Sequence, residues 1–143
     1  MWHTCVKNRD LGAIRPKLDK SCVFHSPTVG RPFEGPDALC IVLESVGEVF
    51  GDSLKYHRQW LSPDGRDWSL EFTAEVAGVR IKGLDIVTLT AEGKIITFEV
   101  VVRPYKGLGL LKEEMEKLVP QRMAAIAETM TAQASKKPPQ SRL

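Results

Sequence analysis

The chain predicts an α+β domain built on an antiparallel sheet. Three observations carry that expectation. Pro36 to Phe50 repeats its apolar residues at helical spacing. From Leu54 to Arg103 the repeat switches to two, in runs separated by short turn sequences. After Pro104 helical spacing returns. Strands grouped together and flanked by helices mark the α+β class, not alternating βαβ units.

Each element has its own grounds. Residues 2 to 19 read as a short helical lead-in, with Trp2, Val6, Leu11, Ile14 and Leu18 near helical spacing and Gly12 and Pro16 interrupting it. It starts in mid-stride, which points to a truncated N-terminus. Ser21 to His25 reads as a short strand ended by Ser26-Pro27, and a loop follows through Gly30, Pro32 and Gly35. The helix from Pro36 has proline at its first position and Asp37 at its positive end, and its face is Leu39, Val42, Val46 and Val49 or Phe50. Four strands follow: Leu54 to Leu61, Trp68 to Val76, Val79 to Leu89 and Lys94 to Arg103. The turns between them are Ser62-Pro63-Asp64-Gly65, Ala77-Gly78 and Thr90-Ala91-Glu92-Gly93, so the four form a meander. A last helix begins near Leu108 with Leu111, Met115 and Leu118 on its stripe, and Pro120 is expected to kink or split it before Met123, Ile126 and Met130. The expected organisation is one pocket domain over residues 1–133 and a disordered basic tail over residues 134–143.

Length and composition bound the function classes. A chain of 143 residues suits one domain, and a domain of that size buries roughly 68–70% of its unfolded surface. A formal net charge of +2 compels no nucleic-acid partner, and no apolar run is long enough for a membrane. The three cysteines, Cys5, Cys22 and Cys40, are far apart and form no CxxC. They read as reduced, mostly buried thiols of a cytoplasmic protein. There is no HExxH, no GxxxxGK[ST] and no GxSxG. Gly107-Leu108-Gly109 opens a helix, but Lys112 stands where a dinucleotide site needs a third glycine.

Alternation assigns the inner face. On the second meander strand it is Trp68, Leu70, Phe72, Ala74 and Val76, and on the third it is Val79, Ile81, Gly83, Asp85, Val87 and Leu89. Ile96, Phe98, Val100 and Val102 follow on the fourth, and Leu54, Tyr56, Arg58 and Trp60 on the first. Glu71, Glu75, Glu99, Arg80 and Lys82 fall outside as solvated cross-strand charges. Asp85 is then a carboxylate on an apolar face, where it must be hydrogen-bonded, paired or protonated. Desolvation raises its pKa and makes it a usable general base near neutral pH. Gly83 would leave room beside it. The competing reading is structural: Asp85 pairs with Arg58, or bonds to a tyrosine or tryptophan, and serves packing.

His25, before Ser26-Pro27, is a second candidate, placed to shuttle a proton at a pocket mouth. Tyr56 offers a phenol on the inner face. Arg58, Trp60, Phe72, Phe98 and Val100 are the candidate ligand-binding residues.

Several phrases resemble the SnoaL-like branch of the nuclear-transport-factor-2-like superfamily. They are Val23-Phe24-His25-Ser26-Pro27, Phe33-Glu34-Gly35-Pro36-Asp37-Ala38-Leu39, Gly83-Leu84-Asp85-Ile86, Gly93-Lys94-Ile95-Ile96-Thr97-Phe98-Glu99-Val100 and Arg103-Pro104. The resemblance spans about Asp10 to Leu118. It implies a cone in which helices close over a curved sheet, and often a homodimer. It also implies either a cofactor-free isomerase, dehydratase or hydrolase acting on a small apolar molecule, or a non-catalytic binding or dimerisation module. Asp85 matches the Gly-x-Asp phrase. The acid that polyketide cyclases tend to carry on the last strand is replaced here by Phe98, Val100 and Val102, a departure that removes the base cyclase chemistry expects.

Overall fold

The computed structural model describes residues 11–136. Trp2, Val6 and Cys5 of the predicted lead-in lie outside the described residues. Of the tail expected to be disordered over residues 134–143, residues 134–136 continue the last helix and the rest lie outside the described residues. A 3-10 turn, Leu11–Lys17, leads into β1, Leu18–His25. β2 is the pair Phe33–Glu34. Helix α1 is Pro36–Phe50, followed by a short 3-10 turn, Gly51–Ser53. The meander is β3 (Lys55–Leu61), β4 (Asp67–Val76), β5 (Val79–Leu89) and β6 (Ile95–Arg103). Helix α2, Tyr105–Lys136, ends the described chain.

One six-stranded sheet holds all the strands, in the order β2-β1-β6-β5-β4-β3. The meander pairs antiparallel as expected. β1, however, lies parallel to β6, with Phe24 opposite Phe98 and His25 opposite Glu99. The expected antiparallel sheet is therefore mixed. A long connection through α1 lets β1 return beside the far end of the meander, a non-local pairing that leaves no local pattern.

Helix α1 forms for the reasons its sequence states. Pro36 opens it, and Asp37 accepts a 2.6 Å hydrogen bond from Arg15. Leu39, Val42, Leu43 and Phe50 are buried against the sheet. Helix α2 runs unbroken through Pro120, so of the expected kink or split the split does not occur. The bond Pro120 cannot make would reach the Glu116 carbonyl, and both residues are exposed, so water can take its place. Leu111, Met115, Val119 and Met123 pack at i, i+4 spacing onto the core. Between the helices, the Arg122 guanidinium donates to Ser45 Oγ at 3.0 Å and to Glu48 at 2.7 Å. At the other end of α2, Gly107 is buried against Ile81, where a side chain would collide with the isoleucine. No helix among the described residues is long and apolar enough to cross a membrane.

Two bulges correct the expected inner face. Between Tyr56 and Gln59, β3 advances three residues while β4 advances two, from Phe72 to Leu70. The side chains after Tyr56 therefore change sides. Between Leu89 and Thr88, β6 carries an extra residue, so buried Ile95, not Ile96, continues the inner face.

Candidate functional site

Helices α1 and α2 and the inner face of the sheet enclose a cavity of about 270 Å³. Its walls are aromatic and aliphatic, with Phe24, Phe72 and Phe98 from the sheet, Val42 and Val46 from α1, and Met115 from α2. The loop after β1, from Ser26 to Val29, borders it. Deep inside stands Asp85, which is 5% exposed. β5 delivers it: Ile81, Gly83, Asp85 and Val87 alternate inward, and Asp85 lies opposite Leu70 on β4 and Val100 on β6.

The Tyr56 hydroxyl donates a 2.7 Å hydrogen bond to Asp85 Oδ2. Oδ1 accepts no hydrogen bond from the described residues, and no buried polar side-chain atom among them lacks a partner. Oδ1 must therefore open onto the cavity that Asp85 lines. Burial pushes the carboxyl up to about 7, against the Tyr56 hydrogen bond, which by itself favours the charged form. Near neutral pH the group is then divided between carboxylate and acid, the state in which it can take a proton and give it back. The space beside it is not what Gly83 suggested. The Phe72 ring fills the place of the missing side chain, with its Cζ 2.5 Å from where a Cβ would stand.

Five of the predicted residues meet here: Asp85, Tyr56, Phe72, Phe98 and Val100 all line the cavity. Arg58, Trp60 and His25 do not line it. The β3 bulge turns Arg58 to the outer face, where it grips Glu71 in two hydrogen bonds of 3.1 and 2.6 Å. Its guanidinium also lies 5.2 Å from the Trp60 ring centroid, and Trp60 is 48% exposed. The Arg58–Asp85 pair considered from the sequence is thus absent. His25 neighbours Phe24 on β1, and alternation that sends Phe24 inward turns the histidine away. Glu71 is also corrected. It is buried beneath Arg58 and Lys82, which hold its carboxyl down at about 2.

Other residues of the site carry no clear signal in the sequence. Lys112 and Glu116, one turn apart on α2, line the cavity as an exposed ion pair at 3.8 Å. Phe24 was visible only as part of a strand. The i, i+4 run of Leu111, Met115, Val119 and Met123 was the available signal for the α2 wall. Cys22 and Cys40 are free and buried, and burial pushes both thiols up, away from nucleophilic use.

The same fold recurs in known proteins. An NTF2-like protein of unknown function from Cytophaga hutchinsonii shares it at TM-score 0.55 and 19% identity, over 72% of this chain and 84% of that one. A steroid delta-isomerase from Pseudomonas aeruginosa is far nearer. It aligns at TM-score 0.80 and 39% identity, over 86% of this chain and 89% of that one. The chain belongs to the nuclear-transport-factor-2-like superfamily. It also resembles an uncharacterised bacterial protein with a cystatin-like fold from Silicibacter pomeroyi, at TM-score 0.75 and 35% identity, over 81% and 80% of the two chains. No family model and no curated protein matches it.

Proposed function

We propose that this protein is a cofactor-free proton-transfer isomerase acting on a carbonyl compound whose reacting part is compact and largely apolar, with Asp85 as its general base. The observation that carries the reading is the one buried carboxyl among the residues lining an apolar cavity, hydrogen-bonded on one oxygen by Tyr56 and open on the other, whereas Glu116 is exposed and paired with Lys112. A double-bond shift suits a single base, because one group removes a proton beside the carbonyl and returns it at the far carbon. Hydration chemistry more often divides the work between an acid and a base. The likeness to a protein named as a steroid delta-isomerase supports the same class. The cavity, about 270 Å³, lies near the small end of ligand sites, which run from about 300 to 1,000 Å³.

The step balances on these residues. Asp85 Oδ1 takes the proton, the C–H electron pair moves toward the carbonyl, and an enolate forms. Once Asp85 is neutral, Tyr56 has less reason to donate to it. The phenol can then turn its O–H toward the enolate oxygen. The proton returns from Asp85 to the distant carbon, and the conjugated ketone leaves.

The test is the absorbance of the conjugated enone formed from a panel of β,γ-unsaturated ketones. Asp85→Asn should lower kcat by about 100-fold or more on any ketone that is turned over. A variant as fast as the wild type would remove Asp85 from the mechanism. The second reading is a non-catalytic ligand binder, favoured by the absence, among the described residues, of a second buried acid in the cavity. It predicts saturable binding of the same ketones with no enone formed.

A further inference from the structure

The cavity does not end at its rim. A second, more open depression adjoins it and shares Pro27, Thr28 and Lys112 as lining. From there it follows the first turns of α2, past Tyr105, Lys106 and Glu113. Three features of this groove bear on what would lie in it. Tyr105 is 90% exposed, an aromatic face with nothing packed over it. Lys106 enters no ion pair among the described residues, and the nearest carboxylate to Lys112 in an ion pair is that of Glu116, 3.8 Å away. The start of α2 adds its partial positive charge to the same place. The walls thus change from almost wholly apolar around Asp85 to charged and aromatic outside, where Lys106 and Lys112 outnumber the single Glu113 carboxylate in the lining.

We propose that the substrate is longer than the cavity: an apolar carbonyl unit carried on an anionic tail, carboxylate or phosphate, that leaves between Thr28 and Lys112 and lies along the groove beside Lys106 and Tyr105. This rests on the isomerase reading for the inner end and adds the chemistry of the outer end. The tail fixes which way the apolar unit enters, and so which carbon faces Asp85.

Matched compounds test it through binding, apart from turnover. Saturated ketones of one ring size, bearing a neutral alcohol, a carboxylate or a phosphate on an identical alkyl tail, are titrated by calorimetry into the full-length protein at low and high salt. The expected result is tighter binding of the charged members, by about fivefold per cation engaged. That preference should shrink at high salt, and it should collapse in Lys106→Glu and in Lys106→Ala/Lys112→Ala. The carboxylate and phosphate arms tell the two sources of charge apart. Equal binding of charged and neutral members, a preference untouched by the lysine substitutions, or no binding of any member would each overturn the proposal. Enone formation from the unsaturated forms is scored separately. Its absence beside a lysine-dependent tail preference would end the isomerase reading alone.

Discussion

Asp85 and Glu71 are both buried carboxyls, yet they are displaced in opposite directions. Asp85 has a neutral donor, and burial raises it to about 7. Glu71 has two cations, and its hydrogen bonds to Arg58 and Lys82 lower it to about 2. The consequences for stability carry opposite signs. An acid raised by folding binds more protons folded than unfolded, so Asp85 makes stability fall as pH rises from about 4 to about 7. An acid lowered by folding does the reverse, so the contribution of Glu71 is present above its unfolded value near 4.5 and is lost as pH falls toward 2. Asp85→Asn should abolish the fall between pH 4 and 7 in denaturant titrations. It should also leave the protein more stable than the wild type at pH 8, by on the order of a few kcal/mol. Catalysis reports the same carboxyl from the other side. The base form is required, so kcat/KM should rise with pH through about 7. Tyr56→Phe removes the one hydrogen bond favouring the carboxylate, so the inflection in the pH profile should move upward. An unmoved inflection would show that the phenol does not govern Asp85.

The strands place these groups, and their irregularities decide which side chains share the cavity. Gly83 is held by two neighbours: the Phe72 ring fills its side-chain space, and the Val101 carbonyl oxygen lies 2.5 Å from where a Cβ would stand. Gly83→Ala should therefore cost about 1–3 kcal/mol, measured by urea unfolding, because the carbonyl cannot step aside as a flexible side chain would. The β4–β5 hairpin turns on Ala77 and Gly78, both at positive φ (47° and 80°). An alanine there is disfavoured by about 1 kcal/mol, and asparagine tolerates the conformation better. Ala77→Asn should stabilise the protein by several tenths of a kcal/mol, read as a rise in Tm. Strand-level features also mark where the sequence was legible. α1 and β5 were bounded correctly, and the inward row through Asp85 followed from simple alternation. Arg58 and Trp60 were misplaced because the β3 bulge leaves no mark in Lys55-Tyr56-His57-Arg58-Gln59-Trp60, where polar and aromatic residues fit either register. His25 was misplaced for a related reason. Its sequence position named a strand end, but only the pairing of Phe24 with Phe98 shows which way β1 faces.

The whole molecule is a mixed, curved sheet with two helices on one face and a cavity left between them. Its class was legible because periodicity records which side of each element is buried. The parallel pairing of β1 with β6 was not, since it joins segments some seventy residues apart and depends on the path of the intervening chain. The cavity itself was legible only as an apolar face bearing one acid. Its depth and its charged outer end emerge from how α2 lies across the sheet. The proposed chemistry rests on Asp85 removing a proton from carbon within that space. The most direct measurement is deuterium incorporation from D2O at the carbon beside the carbonyl of an apolar ketone, followed by proton NMR as pH is varied. The expected result is protein-dependent exchange that rises through about pH 7 and is lost in Asp85→Asn. Exchange that is equal with the wild type and the variant, or no faster than in buffer for ketones shown to bind, would contradict it.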